Sequence, residues 1–400
     1  MTVREEGNPQ AVDGSCPAIT ELRLSAYKSH RGTTLPLAPV TLLDGPSGSG
    51  KSSALQAYEA LARLGHGRSV YEAFPDAVDC VPDQARPDRQ RRRGFRIGCT
   101  AEGPAGPVRL DVAVQAEPDL RIVGERLSAG GGAGRGAGRG GGVLFETALR
   151  DPSTHVVQAA WHTAGTSAVT RAPLPDDRLG TAMVPLRVAG STDAQRRVLQ
   201  AAEQVVVALR SAFPCDPLPE RMRATVRVGE GLLRPGCDNL AEVLRRTRAQ
   251  CEDRHAALVG VARAGCAGPV VDVTPQVLDD GTVRGVLERG PDRVATPLGR
   301  LGDGELRFLA LALVLLTGPG VRAADPAGAA GPAGTATASG ALTVLADGFA
   351  RGLDEVQARR LVELAVRCAG SGGVRLVAAV SGASWACGVA GAEVVDLRGD

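Results

Sequence analysis

The segment VTLLDGPSGSGKSSALQAYEALARLG, residues 40–65, decides how this chain is interpreted. It begins with a short, mostly apolar stretch typical of a buried strand, and a glycine-rich turn follows before the pattern becomes helical. Within the turn, Gly45, four further residues, Gly50, Lys51 and Ser52 fit the phosphate-loop pattern, in which backbone N–H groups surround phosphates at a helix N-terminus. The segment therefore predicts a strand, loop and helix that bind a nucleotide phosphate chain.

The side chains of this loop predict which part of a nucleotide each would hold. Lys51 would bridge the outer phosphates, and the Ser52 hydroxyl would be a magnesium ligand. Of 46 lysine and arginine residues only Lys28 and Lys51 are lysine, so a lysine here stands out against an arginine-rich background. Further contacts to the phosphates are predicted from Gly45, Ser47, Gly48, Ser49, Gly50 and Ser53.

Composition narrows the class of protein. The 400 residues allow two or three domains, 44% are hydrophobic, and a net charge of +2 favours neither acidic nor basic partners. The nine cysteines form no CxxC motif, which argues against a zinc site or a disulfide framework. The polar segment 1–17 predicts a disordered leader without a signal peptide, and the apolar run 308–316 is too short for a membrane span. These features predict a cytoplasmic protein without membrane contact.

Hydrophobic patterning places the remaining elements. Residues 95–170 alternate as half-exposed strands, and residues 108–114 predict one buried face, formed by Val108, Leu110, Val112 and Val114. Residues 128–142 and 318–341 are of low complexity and predict flexible loops. Helices are predicted at 191–213 with a capping box from Thr192 to Gln195, at 238–265 with Asp238 as N-cap, at 305–317 and at 354–369, and strands at 342–346, 374–380 and 393–397.

The two terminal parts of the chain have the pattern strand, helix and strand. Between them lies a middle part that contains both strand and helix patterns. This order predicts one α/β domain with a mixed sheet, interrupted by an α+β insertion, so the two ends must pair in space. The predicted divisions are a leader (1–17), the first part of the domain (18–100), the insertion with a helical lobe (101–290) and the second part (291–400).

The segment LTVLADGFARGLD, residues 342–354, reads as a buried strand ending in an acid. A carboxylate at the end of such a strand, placed beside a phosphate loop, is suited to hold magnesium through water. Asp347 is therefore predicted as the second metal-binding residue, together with Ser52.

Three segments together resemble the RecF/SMC-type branch of ABC ATPases, and most nearly the stand-alone AAA-type ATP-binding proteins with an SDGTLRFLAL-like signature. They are LRLSAYKSHRGTTLPLAPVTLLDGPSGSGKSSAL (22–55), LGRLGDGELRFLALALVLL (298–316) and LTVLADGFARGLDE (342–355). The helix at 237–246 also occurs in the family's order, whereas the middle of the chain matches only in general character.

The resemblance implies an ABC/RecF-like P-loop NTPase head with ATP and Mg²⁺ as cofactors. Such heads form ATP-dependent homodimers in which the phosphate loop of one copy faces the signature turn of the other. That turn corresponds here to Gly302, Asp303, Gly304 and Glu305. Asp354 corresponds to the D-loop that couples the two sites, and Lys28 to a basic residue near the nucleotide.

This chain departs from the family at three catalytic positions. Gly348 stands where hydrolysing relatives have a glutamate, and Val380 and Ser381 where they have a histidine. Gly302 replaces the signature serine. Because a positioned general base contributes roughly 10²- to 10⁴-fold to a rate, these departures predict ATP binding with weak hydrolysis, and no catalytic residue is assigned.

Three functions remain open on these residues. The first is an ATP-hydrolysing head that acts with DNA-repair or defence partners, and the second a non-hydrolysing ATP-gated module that engages a separate effector protein. A transporter subunit is disfavoured, because in transporter subunits the signature follows the phosphate loop after fewer residues than separate Lys51 from Gly302 here. The run 86–96, with six arginines, predicts either nucleic-acid contact or a solvated loop.

Overall fold

The computed structural model describes residues 16–130, 142–162, 169–229, 233–321 and 341–397. In these residues the strands, numbered in chain order, are β1 (Ala18–Tyr27), β2 (His30–Pro36), β3 (Val40–Asp44), β4 (Arg93–Glu102), β5 (Val108–Glu117), β6 (Arg121–Ala129), β7 (Val143–Ala148), β8 (Val156–His162), β9 (Val169–Pro175), β10 (Ala212–Pro214), β11 (Val226–Arg227), β12 (Asp272–Val277), β13 (Thr282–Glu288), β14 (Thr296–Pro297), β15 (Leu342–Ala346), β16 (Val374–Ala379) and β17 (Glu393–Asp396).

The helices of the same residues are α1 (Lys51–Gly65), α2 (Val70–Ala73), α3 (Gly180–Arg187), α4 (Asp193–Arg210), α5 (Pro219–Met222), α6 (Leu240–Gln250), α7 (Glu252–Gly265), α8 (Asp303–Thr317) and α9 (Glu355–Gly370). Within the described part of the chain, no helix has the length and apolar character needed to cross a bilayer. Residues 1–15, 131–141 and 322–340, which contain most of the predicted leader and of both low-complexity segments, lie outside the described residues.

A five-stranded parallel sheet brings the two ends of the chain together. Its strand order is β10-β15-β16-β3-β17, so the strand before the phosphate loop lies between two strands from the C-terminal part. Val40 pairs with Leu376, and Leu42 pairs with Val394. The predicted closure of the terminal segments is confirmed, and β15, which precedes Asp347, is separated from β3 by one strand.

The antiparallel strands form sheets of their own. One has eight strands in the order β2-β1-β4-β5-β6-β7-β8-β9, and a smaller one is built from β11, β13, β12 and β14. The prediction of one mixed sheet is therefore wrong, because parallel and antiparallel strands segregate.

On β5 the four predicted apolar residues of 108–114 are all buried, as the alternation indicates. The division proposed between residues 100 and 101 lies within β4.

Two hydrophobic cores lie on opposite faces of the parallel sheet. Leu43 and Leu345 pack on one face with α1, α4 and the inner face of the eight-stranded sheet. Leu42 and Val344 face the other way and pack with α7, α8 and α9. Burial on both faces accounts for the continuous apolar character of these strands, and it fixes the carboxyl ends of β3 and β15 at the same edge of the sheet, with β16 between them.

Two predicted helix boundaries differ in the structure. The helix predicted at 238–265 is two helices, because Cys251 has an extended backbone (φ −155°, ψ 104°). This break lets Arg248 of α6 and His255 of α7 both reach the Asp272 carboxylate on β12, at 3.2 and 2.7 Å. The N-cap of α6 is Asn239, and Asp238 instead pairs with Arg234.

The other helices agree more closely with the sequence. At the start of α4, the Thr192 side chain accepts from the backbone N–H of Gln195, as the capping pattern predicts. The carboxamide oxygen of Gln195 accepts from the N–H of Ser191, so the second half of the predicted box is displaced by one residue. Helix α8 begins at Asp303, two residues before the predicted start.

A buried carboxylate on β6 gives the fold a pH-dependent stability. Glu125 is 3% exposed and accepts the backbone N–H groups of Gly180 and Thr181 at the start of α3, at 2.7 and 2.6 Å. Burial raises the pKa of Glu125 from 4.5 to about 7. Since the folded chain keeps this proton to a higher pH than the unfolded chain, the free energy of unfolding falls as pH rises through this interval.

Glu125→Gln is expected to reduce that pH dependence. Between pH 5 and 8, wild-type stability should fall by up to about 3 kcal/mol more than that of the variant. Urea unfolding at several pH values measures the difference, with Glu102→Gln at an exposed position of β4 as the control. Equal slopes for wild type and Glu125→Gln would contradict the assignment.

Candidate functional site

Residues of the loop between β3 and α1 line a cavity. Gly48 and Gly50 have φ of +85° and +93°, a left-handed backbone conformation that residues with a Cβ rarely adopt. Helix α1 begins at Lys51 without a side-chain N-cap, so the N–H groups of its first turn are not capped by a side chain. Such a turn, with the positive end of the helix dipole, is suited to bind an anion.

Lys51 lies across this loop. Its ammonium Nζ donates to the carbonyl oxygens of Gly45 and Pro46, at 2.6 and 2.8 Å. These contacts hold the positive charge within the loop. The structure thus places the ammonium of Lys51 at the start of the phosphate loop.

Two oxygen groups from distant parts of the chain meet beside the loop. The Ser52 hydroxyl donates to Oδ1 of Asp347 at 3.0 Å, although the two residues are 295 positions apart. Mg²⁺ prefers oxygen ligands and keeps several waters and phosphate oxygens, so two protein oxygens suit it. The described residues contain no group of three or more His, Cys, Asp or Glu side chains that could hold a metal ion.

A cavity of about 580 Å³ joins these groups. Lys28 is not among its lining residues, since its Nζ donates to Oε1 of Gln56 at 2.6 Å. The lining residues are Ser29, Ser47, Gly48, Gly50, Lys51, Ser52, Ser53, Asp347, Gly348, Ala350, Arg351, Ala379, Val380 and Ser381.

Asp44 anchors the loop, a role that the sequence analysis missed. It is buried, and its Oδ1 accepts the N–H groups of Gly45 and Gly382, both at 2.8 Å. Its Oδ2 accepts the N–H of Ala383 at 3.2 Å. The carboxylate thus ties the start of the phosphate loop to the segment after β16. A charged residue ending an apolar strand was the available signal.

His30 is a second residue that the sequence analysis missed. It is 5% exposed, and its Nε2 lies 2.9 Å from the carbonyl oxygen of Gly50. A Cβ at position 50 would lie 2.4 Å from the same nitrogen. The β1–β2 hairpin therefore packs on the phosphate loop, and glycine is required at position 50 for this close contact as well as for its φ.

The predicted signature turn forms the start of α8. The Glu305 carboxylate accepts the N–H groups of Gly302 and Ala267, at 3.2 and 2.8 Å, and Asp303 pairs with Arg223 at 2.5 Å. Among the described residues, none of 302–305 lines the phosphate-loop cavity. A single chain therefore does not join the turn to that cavity.

The signature turn packs on the predicted D-loop. A Cβ at Gly304 would lie 2.1 Å from the carbonyl oxygen of Gly352, so a side chain has no room there. Two residues further on, Asp354 caps α9 by accepting the N–H of Gln357 at 2.8 Å. The turn and the D-loop consequently form one continuous surface.

Arg307 links this surface to the turn after β15, which begins with Asp347. It is buried, and its guanidinium donates to the Pro217 carbonyl oxygen, to Oδ1 of Asp216 at 3.1 Å and to the Gly348 carbonyl oxygen at 3.1 Å. The apolar residues on either side of Arg307 gave a helix prediction but no signal for this contact.

Gly348 stands where hydrolysing relatives have a glutamate, and its backbone and surroundings do not suit that residue. Gly348 has φ +61°, and a Cβ there would lie 2.9 Å from a terminal nitrogen of Arg351. A glutamate would require a strained backbone and would meet a guanidinium that neutralises it. Val380 and Ser381, at the predicted histidine position, do line the cavity.

The arginine-rich run is partly engaged in ion pairs. Arg92 pairs with Asp88 at 2.8 Å, and Arg93 pairs with Glu117 across β4 and β5. Arg96 is exposed on β4. Contact with nucleic acid through residues 86–96 stays a prediction.

No family model and no curated protein sequence matches this chain. Among solved structures, it is similar to an SMC head bound to the C-terminal winged-helix domain of ScpA, with 11% identity, a TM-score of 0.46 and coverage of 95% of this chain and 93% of that one. An SMC head domain from Thermotoga maritima has 12% identity, a TM-score of 0.39 and coverage of 93% and 92%.

An SMC head domain with an extended coiled coil, bound to the C-terminal domain of ScpA and derived from Pyrococcus furiosus, has 10% identity, a TM-score of 0.43 and coverage of 93% and 92%. All three TM-scores are below 0.5.

Proposed function

We propose that this chain is an ATP-binding ABC/RecF-like head that dimerises around Mg-ATP and hydrolyses it weakly. The observation that carries the proposal is the hydrogen bond between Ser52 and Asp347 beside the phosphate loop. It joins an amide-lined anion site to a two-oxygen cation site in one cavity. A triphosphate chelating a divalent cation is the ligand class that needs both.

The phosphate chain would be held by the loop between Gly45 and Ser53. Backbone N–H groups and the α1 dipole attract its negative charge, and the ammonium of Lys51 would exchange its carbonyl contacts for phosphate oxygens. Ser52 and Asp347 would hold magnesium, Asp347 through water, and the metal would neutralise the outer phosphates. Hydrogen bonds of this charged kind are each worth about 1.5–3 kcal/mol.

The placement of the signature turn supports the proposed dimer. Residues 302–305 lie outside the cavity of their own chain, yet they open a fifteen-residue helix whose positive end is suited to a phosphate. A second copy, placed head to tail, would bring this turn to the γ-phosphate. Asp354 and the D-loop, which pack beside the turn, would lie in the same interface.

Weak hydrolysis is supported by the chemistry of the outer end of the cavity. Gly348 offers no carboxylate to polarise water, and the neighbouring Arg351 is a cation without acceptor capacity. Gly302 supplies no hydroxyl. The non-hydrolysing alternative, an ATP-gated module acting on a separate effector, is favoured by the same observation, because differential affinity for two states is sufficient for a switch.

Lys51→Ala provides the test. We expect wild type to bind Mg-ATP and to elute as a dimer when ATP is present, and Lys51→Ala to lose about 10- to 100-fold in affinity and to stay monomeric. Calorimetric titration and nucleotide-dependent size-exclusion chromatography measure both effects.

Arg359→Ala is the control for that test. Arg359 lies on α9, is paired with Glu363 and does not line the cavity, so this variant should behave as wild type. Absence of nucleotide affinity in wild type with magnesium would overturn the proposed function. Phosphate release above background that depends on Lys51 would favour the hydrolysing form over the gated module.

A further inference from the structure

We propose that Arg351 is a ligand of the terminal phosphate, supplied by the same chain, and that it makes the site selective for a triphosphate over a diphosphate. This inference rests on the proposed function and adds a specificity-determining residue to it. Sequence patterns gave no signal for Arg351, which lies in the turn after β15 between Asp347 and the D-loop.

The turn places the guanidinium in the cavity. The N–H of Arg351 donates to the carbonyl oxygen of Gly348 at 2.9 Å, which closes the turn and folds the side chain back over Gly348. The terminal nitrogen, Cζ and Nε lie 2.9, 3.2 and 3.2 Å from the point that a Cβ of residue 348 would occupy. Arg351 lines the same cavity as Lys51 and Ser52. Glycine at position 348 leaves the space that the guanidinium fills.

The charge of Arg351 is available to a ligand. Within the described part of the chain, Arg351 forms no ion pair and no side-chain hydrogen bond, in contrast with Arg223 and Arg307 nearby, which both have carboxylate partners. A guanidinium carries five N–H donors in a planar fork that matches phosphate oxygens. Among the described residues, the cavity lining contains two other charged side chains, those of Lys51 and Asp347. Arg351 therefore turns the local balance of the lining from neutral to positive.

The position of Arg351 relative to the metal site selects the terminal phosphate. Ser52 and Asp347 mark where a cation would bridge the outer phosphates, and Gly348 directly follows Asp347. The loop amides would hold the inner phosphates. A diphosphate would satisfy the loop and leave the guanidinium without its partner, whereas a triphosphate would reach it.

The same placement explains how the site could bind ATP firmly without a general base. A guanidinium donates hydrogen bonds but accepts none, so Arg351 stabilises a bound triphosphate and cannot take a proton from water. An arginine beside Gly348, with no carboxylate at that position, thus favours a long-lived ATP complex.

Affinity for ATP and ADP, measured separately with magnesium by calorimetric titration, tests the inference. Arg351→Ala is expected to weaken ATP binding about tenfold and to change ADP binding less than twofold. Arg351→Lys should recover part of the ATP affinity, because it keeps the charge and loses the fork. Arg359→Ala should match wild type for both nucleotides.

The outcomes separate the two proposals. If wild type binds ATP in a Lys51-dependent way and Arg351→Ala binds it as wild type does, the role of Arg351 is refuted while the proposed function stands. An equal loss for ATP and ADP in Arg351→Ala also refutes it, because that pattern reports a structural role. If wild type binds neither nucleotide, the proposed function fails, and the inference fails with it. Thermal unfolding of each variant confirms that the exposed substitution leaves the fold intact.

Discussion

Asp44→Ala is expected to lower the free energy of unfolding by about 3–5 kcal/mol and to abolish measurable nucleotide binding. The carboxylate accepts three backbone N–H groups, those of Gly45, Gly382 and Ala383, at a buried position. Alanine would leave these donors without partners, and a buried unsatisfied donor costs about 1–3 kcal/mol. The loop that begins at Gly45 would also lose its connection to the segment after β16, so its amides would no longer converge on one phosphate chain.

Asp44→Asn serves as the matched comparison. Its amide oxygen can keep the contacts to Gly45 and Gly382, which share Oδ1, but its NH₂ group would face the N–H of Ala383. We expect Asp44→Asn to lose less stability and less nucleotide affinity than Asp44→Ala does. Urea unfolding and calorimetric titration with Mg-ATP measure stability and binding on the same samples. Full stability of Asp44→Ala would show that water replaces the carboxylate and that the anchoring role is wrong.

Gly304→Ala is expected to destabilise the fold by about 2–3 kcal/mol and to prevent ATP-dependent dimerisation. The added Cβ would lie 2.1 Å from the carbonyl oxygen of Gly352, which is backbone and cannot rotate away. The start of α8 and the D-loop must therefore separate. Both belong to the surface proposed to meet the second copy, so dimer formation should be lost even where the single chain stays folded.

Gly302→Ser is the control at the same turn. A Cβ there meets nothing closer than the Glu305 carboxylate at 3.8 Å, and the backbone at φ −62° and ψ 156° suits a serine N-cap. We expect its stability to stay within about 0.5 kcal/mol of wild type, and its hydroxyl to supply the donor that the signature turn lacks. Size-exclusion chromatography with and without ATP compares the two variants. A normal ATP-dependent dimer from Gly304→Ala would exclude this surface from the interface.

Local sequence patterns predicted the elements that depend on local chemistry. Helix α1 has the predicted bounds because glycines end at position 50 and helix-forming residues follow. The buried face of β5 follows from strict alternation, and the Thr192 cap from its spacing to Gln195. The break at Cys251 was not predictable in this way, because it goes with contacts from both helices to Asp272, a residue that lies outside the helical segment.

The residues of the candidate site likewise fall into those that a local pattern predicted and those that it did not. Gly45, Gly50, Lys51 and Ser52 were predictable because a short motif contains them all. The roles of three other residues depend on partners that are distant in the chain. Asp44 contacts Gly382, His30 contacts Gly50 and Arg307 contacts Gly348. A sequence pattern of ordinary length does not contain both members of such a pair.

The sequence by itself determined that a glycine-rich turn between a strand and a helix, an acid-ended strand and a glycine-led helix exist in this chain, since each depends on neighbouring residues. Tertiary structure alone decided that Ser52 meets Asp347, that Asp44 fastens the loop and that Arg351 fills the space above Gly348. The physical reason is that the parallel sheet pairs β3 with strands from the far end of the chain, and burial on both faces fixes that pairing.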